Sequence, residues 1–330
     1  MTTAPSSSPY AAARDGSGSQ TGEMQSFLQK TSRTFALTIP LLPEPLRTEI
    51  SLSYLLFRII DTFEDATNWV PQKRIAALKG FVQMLRRPHD QSIQTVAADW
   101  LRQPPLAHPG YLELLGATPQ VLRWFGNLDQ AACVHVREHL ERSALGMCDF
   151  VERSDGRGAL RLQTMADLRG YCFVVAGIVG QMLTELFVLR GGQRLADVAS
   201  GLRDRSVAFG EGLQLTNILK DAAGDAAEGR VYLPKDVLMA EVFTLARADL
   251  AAAAEYVELL RTGGAPRGLV AFNALNARLA VATLRLLRDR GPGAKLTRQQ
   301  VLGVAAEVTH ALEIGAPLFE GAAREHHPSK

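Results

Sequence analysis

Residues 55–66 read LLFRIIDTFEDA and place three acids, Asp61, Glu64 and Asp65, directly after the apolar Leu55, Leu56, Phe57, Ile59 and Ile60. Asp61 and Asp65 are four apart and therefore share one face of a helix. Like charges at that spacing destabilise a helix by roughly 0.2–0.5 kcal/mol in water, and by more when desolvated. Either the acids point into solvent or a cation sits between them. A second stretch, residues 212–234, reads GLQLTNILKDAAGDAAEGRVYLP and repeats the interval with Asn217, Asp221 and Asp225. Gln214 lies three residues before Asn217, on the same side. Carboxylates with an amide oxygen are hard ligands suited to Mg²⁺, which is shared between a few carboxylates, waters and phosphate oxygens. Two distant helices with the same acidic interval favour several Mg²⁺ ions held against one diphosphate over two solvated faces.

Basic residues accompany the acids. Tyr54, Arg58, Asp61 and Asp65 step by four, three and four, so they lie along one helix face. Lys220 precedes Asp221, and Arg230 follows in EGRVYLP. A diphosphate needs cations as well as metal, and the paired donors of Arg suit it. For Arg58 an intrahelical ion pair with Asp61 stands beside that reading.

These residues must be positioned by a mostly helical chain. Its 330 residues are 47% hydrophobic, enough for a sizeable core, and its net charge of +2 argues against a nucleic-acid partner. From residue 23 onward the apolar period is helical, with Gly/Pro punctuation at LLPEP, RQPPLAHPG, RTGGAPRG and DRGPG. The expectation is one all-α domain over 23–320, a helical bundle whose core houses the site. The Ser/Gly/Pro/Ala-rich residues 1–22 and the tail 321–330 are expected to be disordered. Cys133, Cys148 and Cys172 read as reduced core thiols of a cytoplasmic protein, and no secretory signal opens the chain. The apolar stretch 171–189 nearly reaches the length of a membrane span. Gln181, Thr184 and Glu185 interrupt it, which favours a buried central helix. Its small residues Ala176, Gly177 and Gly180 admit either another backbone or a long apolar ligand.

TSRTFALTIPLL, SYLLFRIIDTFED, YCFVVAGIVG and LQLTNILKDAAGDAAEGRVYLP together resemble the squalene/phytoene synthase family, in its order and spacing, over nearly all of residues 24–315. The resemblance implies an isoprenoid-synthase fold that joins two prenyl diphosphates head to head. It implies that Asp61, Glu64 and Asp65 form a first acidic motif and Asn217, Asp221 and Asp225 a second. It further implies diphosphate contacts from Ser32, Arg33, Tyr54, Arg58 and Arg230, with Tyr171 at the reaction centre. LQKTSRTFA, YLLFRIIDTFED and FNALNARLAVATL followed by AKLTRQQV resemble the squalene branch, in which a basic pair, here Lys295 and Arg298, lies by an NADPH site. Two departures stand out, since Lys220 occupies a place where Arg is usual and Gly224 replaces an acid. On this resemblance the cofactors are Mg²⁺ and NADPH, the substrate is farnesyl diphosphate, and product release involves peripheral membrane contact. Dehydrosqualene, hydroxysqualene and phytoene synthases share most of these motifs.

Two other classes compete. HVREH, residues 135–139, fits the H-x-x-E-H zinc peptidase pattern, although neighbouring Arg137, Glu141 and Arg142 suggest a solvated helix face. A non-catalytic module binding a prenyl lipid would have little use for so many acids of metal-ligand type.

Overall fold

The computed structural model describes residues 13–66, 68–154, 160–227 and 230–319. In chain order the helices are α1 (Ala13–Thr31), α2 (Phe35–Thr38), α3 (Leu46–Glu64), α4 (Pro71–Arg86), α5 (Ser92–Arg102), α6 (Pro109–Gly116), α7 (Thr118–Gly126) and α8 (Gln130–Glu152). They continue with α9 (Met165–Cys172), α10 (Ile178–Gly191), α11 (Gln193–Ala196), α12 (Ala199–Ala227), α13 (Met239–Thr262), α14 (Arg267–Arg290) and α15 (Arg298–Ile314). Among the described residues the sole strand-like feature is a parallel bridge between Arg161 and Val231. The expected all-α bundle is what forms.

Helix starts follow local chemistry. Asp129 caps α8 by accepting from the backbone N–H groups of Ala131 and Ala132, at 3.1 and 3.4 Å. Thr164 and Asp167 make a reciprocal capping box at α9, and Thr297 and Gln300 repeat it at α15. Residues 1–12 and 321–330 of the expected disordered tails lie outside the described residues. The expected boundary at residue 22 needs correction, because α1 already begins at Ala13. No proline interrupts residues 13–31, and the buried Met24, Phe27 and Leu28 anchor a helix that continues backward through the Ser/Gly-rich turns.

α10 touches α3, α8 and α12, and α12 in turn packs on α13 and α14. A five-residue π-helical turn, Phe173–Gly177, joins α9 to α10. The small residues on this stretch serve close backbone packing. A Cβ on Gly180 would lie 2.1 Å from the Ser206 carbonyl oxygen, and one on Gly210 2.1 Å from that of Ala176. Two stretches, Met165–Gly191 and Arg267–Arg290, are long and apolar enough to cross a membrane by length and composition. Both pack inside the bundle. Val175, Val179 and Leu183 nevertheless recur every fourth residue along the first and remain only partly buried.

Candidate active site

Both acidic motifs sit at helix C-termini. Asp61 and Glu64 occupy the last turn of α3 with Asp65 as its C-cap, and Asp225 lies in the last turn of α12. Helix C-termini carry partial negative charge, so carboxylates there are disfavoured unless a cation answers them. Burial, with the neighbouring Asp65 charge, lifts the Asp61 carboxyl to about 6 against the pull of Arg58. Burial and the adjacent acids also push Glu64 well above the usual carboxylate range, and burial raises Asp225. The arrangement calls for positive charge.

The chain's own bases supply some of it. Arg230 is the bridge between motifs, reaching Asp225 at 3.0 Å and Asp65 at 3.6 Å. Burial opposes the Arg230 charge, but Asp65, Tyr232 and Asp225 more than offset that opposition. Asp221 is met by Lys220 at 3.3 Å and by Lys295 at 3.2 Å, and Lys220 also donates to the Asn217 side-chain oxygen at 2.9 Å. Arg58 pairs with Asp61 at 3.4 Å, so its intrahelical ion pair is real. It also lies 5.6 Å from the Tyr54 ring centre and 5.2 Å from that of Tyr111, which fixes the guanidinium beside the first motif. Arg74 donates to the Glu64 carbonyl oxygen from α4.

The remaining expected residues fall into two groups. Tyr54 belongs to the site, since its hydroxyl donates to the Thr31 carbonyl at 2.9 Å and accepts from Arg58 Nε at 3.3 Å. Tyr171 is buried at the C-terminal end of α9, stacked on Tyr232 with ring centres 4.8 Å apart. Burial, with the nearby Glu64 charge, raises its phenol pKa. Ser32 spends its Oγ accepting from the Phe35 N–H at 2.9 Å, Arg33 is exposed beside it, and Gln214 is half-buried on α12. Lys295 is exposed and pairs with Asp221 of the second motif. Arg298, at the start of α15, is exposed. A Cβ on Gly224 would meet nothing within 4 Å, so an acid there would project into open space and its loss leaves Asp221 and Asp225 in place.

Tyr232, Tyr111 and Arg74 were not among the expected site residues. Tyr232 stands two residues beyond Arg230 inside the quoted GRVYLP, an alternation that could have pointed to it. Tyr111 and Arg74 come from α6 and α4 and leave no signal in spacing.

Among the described residues no three His, Cys, Asp or Glu side chains converge as a preformed metal cage. Around HVREH the described side chains likewise form no such group. His139 Nδ1–H donates to the His135 carbonyl at 2.7 Å, burial lowers its pKa, and nearby Glu185 is held by both arms of Arg203 at 2.8 and 2.9 Å. These groups line a cavity of about 350 Å³ with Glu138, Arg142 and Gln181. For Mg²⁺ the test differs, because it needs only one or two carboxylates, with waters and substrate phosphate completing its shell. Hard oxygen donors in two disfavoured, cation-seeking groups fit it.

Residues 28–244 match the family model for squalene/phytoene synthase. The chain belongs to that family. Squalene synthase BSS of Botryococcus braunii is 31% identical over 213 residues, 64% of this chain and 42% of the relative, so the chain spans less than half of that relative's length. A solved structure of TcSQS with the ligand BPH1237 matches at 27% identity and a TM-score of 0.68, covering 88% of this chain and 85% of that one. A dehydrosqualene synthase structure with a ligand, 20% identical with a TM-score of 0.58 over 91% and 99% of the two chains, shares the fold.

Proposed function

We propose that this protein couples two molecules of farnesyl diphosphate head to head to give presqualene diphosphate and then reduces that product to squalene. The observation that carries the reading is Arg230, which spans Asp65 of α3 and Asp225 of α12 and so brings both acidic motifs to one place, while Tyr232, two residues further along, stacks on Tyr171. Relatives named squalene synthase support the same reading.

Asp61, Glu64, Asp65, Asn217, Asp221 and Asp225 would hold Mg²⁺, which when bound neutralises the leaving diphosphate. Arg58 and Arg230 orient the diphosphate oxygens through fork-shaped donors, and Lys220 adds a point charge. Loss of diphosphate from one farnesyl chain leaves an allylic cation, which the alkene of the second chain captures before proton loss closes a cyclopropane. The Tyr171 ring face stabilises positive charge, and its oxygen is placed to accept a proton. The partly buried Val175, Val179 and Leu183 offer the prenyl chains an apolar wall that excludes water. NADPH would supply hydride for the second half-reaction, with Lys295 and Arg298 as cations for its phosphate.

One observation favours a second reading. Lys295 is engaged by Asp221, so a non-reducing synthase making dehydrosqualene, hydroxysqualene or phytoene would use the same acids. Mass spectrometry of products from farnesyl diphosphate, with and without NADPH, separates the two. Squalene should form with NADPH, and presqualene diphosphate or its solvolysis products should replace it without. Identical products under both conditions would remove the reductive step.

A further inference from the structure

Residues 230–232 are held in an extended path. The Val231 N–H donates to the Leu160 carbonyl at 2.9 Å, and the Leu162 N–H donates to the Val231 carbonyl at 3.1 Å. Side chains two apart on an extended backbone project to the same side, so Arg230 and Tyr232 are presented together. Arg230 reaches Asp65 and Asp225, while Tyr232 lies on Tyr171 with ring planes 27° apart and hydroxyl oxygens 3.3 Å apart. Phe150 closes another side of Tyr171 edge-on at 5.3 Å. The clamp is local, because Leu160–Leu162 leads into the Thr164 cap of the helix that carries Tyr171. One short pairing therefore sets both tyrosines.

A phenol donates one proton and accepts through its lone pairs. With Tyr171 donating to Tyr232, the Tyr171 oxygen keeps acceptor capacity for a second partner. We propose that Tyr232 is a positioning residue for Tyr171, accepting its hydroxyl proton and stacking on its ring so that oxygen and ring face are aimed at the substrate during the first coupling. This rests on the proposed function, which puts Tyr171 at the reaction centre.

A double-mutant cycle tests it, with farnesyl diphosphate and Mg²⁺ and without NADPH. Tyr232→Phe keeps the stacked ring and removes the acceptor, and it should lower kcat for the coupling by roughly 10-fold or more with KM unchanged. The share of substrate lost to water as farnesol should rise, whereas weaker folding alone would reduce active enzyme without altering that ratio. In a Tyr171→Phe background the second substitution should have no further effect on kcat. Losses that simply multiply, or a Tyr232→Phe enzyme with wild-type rate and product ratio, would overturn the assignment. Should Tyr232→Phe prove insoluble, Tyr232→Leu read for the same product ratio replaces it, and an unchanged ratio there rejects the assignment equally. A wild-type enzyme that yields no coupled product sinks the proposed function itself, and this role with it, which the wild-type control reveals before any variant is compared.

Discussion

Asp61→Asn and Asp221→Asn should each lower kcat by roughly 10² to 10³-fold at saturating Mg²⁺, the range seen when one electrostatic stabiliser of a developing charge is removed. Each change preserves side-chain size while deleting a ligand charge on one of the two helices that share the proposed site. Both carboxylates are partly exposed, at 29% and 38%, so the fold should tolerate the change and thermal unfolding should move little. Steady-state kinetics beside an unfolding scan makes the comparison. Near-wild-type turnover in either variant would leave that motif outside the chemistry.

A large stability effect is expected at a glycine in the same helix as the second motif. A Cβ at Gly210 would sit 2.1 Å from the Ala176 carbonyl oxygen and 2.6 Å from its carbon, and both are backbone atoms of the π-helical turn. Backbone cannot rotate aside as a flexible side chain can. Gly210→Ala should therefore cost at least the upper part of the roughly 1–3 kcal/mol typical of overpacking. Gly224→Ala, in the same helix with nothing within 4 Å, should instead stabilise by roughly 0.5–1 kcal/mol through helix propensity alone. Opposite shifts in denaturant midpoint are the expected result, and equal shifts would mean that the crossing of α12 over the π turn is looser than described. Because that turn begins two residues after Tyr171, Gly210→Ala should also reduce coupling.

Much of this site was legible because helices write their faces into spacing. Asp61 with Asp65, and Asn217 with Asp221 and Asp225, are each one turn apart, so their clustering needs no tertiary information. What spacing cannot carry is which chain segment crosses the gap. Arg230 could be suspected from its sequence neighbourhood, but its simultaneous reach to α3 and α12 depends on the bridge between Val231 and the segment before α9. Tyr232 is fixed by that same bridge, and Tyr111 and Arg74 arrive from helices with no periodic relation to the acids. The glycines at 177 and 180 were ambiguous for a related reason. Only the facing residues decide it, since Gly180 admits the Ser206 backbone whereas Gly177 faces the Phe173 and Val207 side chains. At the N-terminus composition misled, since Ser/Gly-rich turns weaken a helix only when nothing downstream anchors it.

The central claim is that the two acidic helices jointly form one Mg²⁺-dependent diphosphate site. Isothermal titration of inorganic diphosphate into the wild-type protein, with Mg²⁺ and again with EDTA, tests it most directly. Binding should require Mg²⁺ and should be lost in Asp65→Asn and in Asp225→Asn alike, one from each helix. Equal affinity in EDTA, or undiminished binding when either helix loses its aspartate, would contradict it.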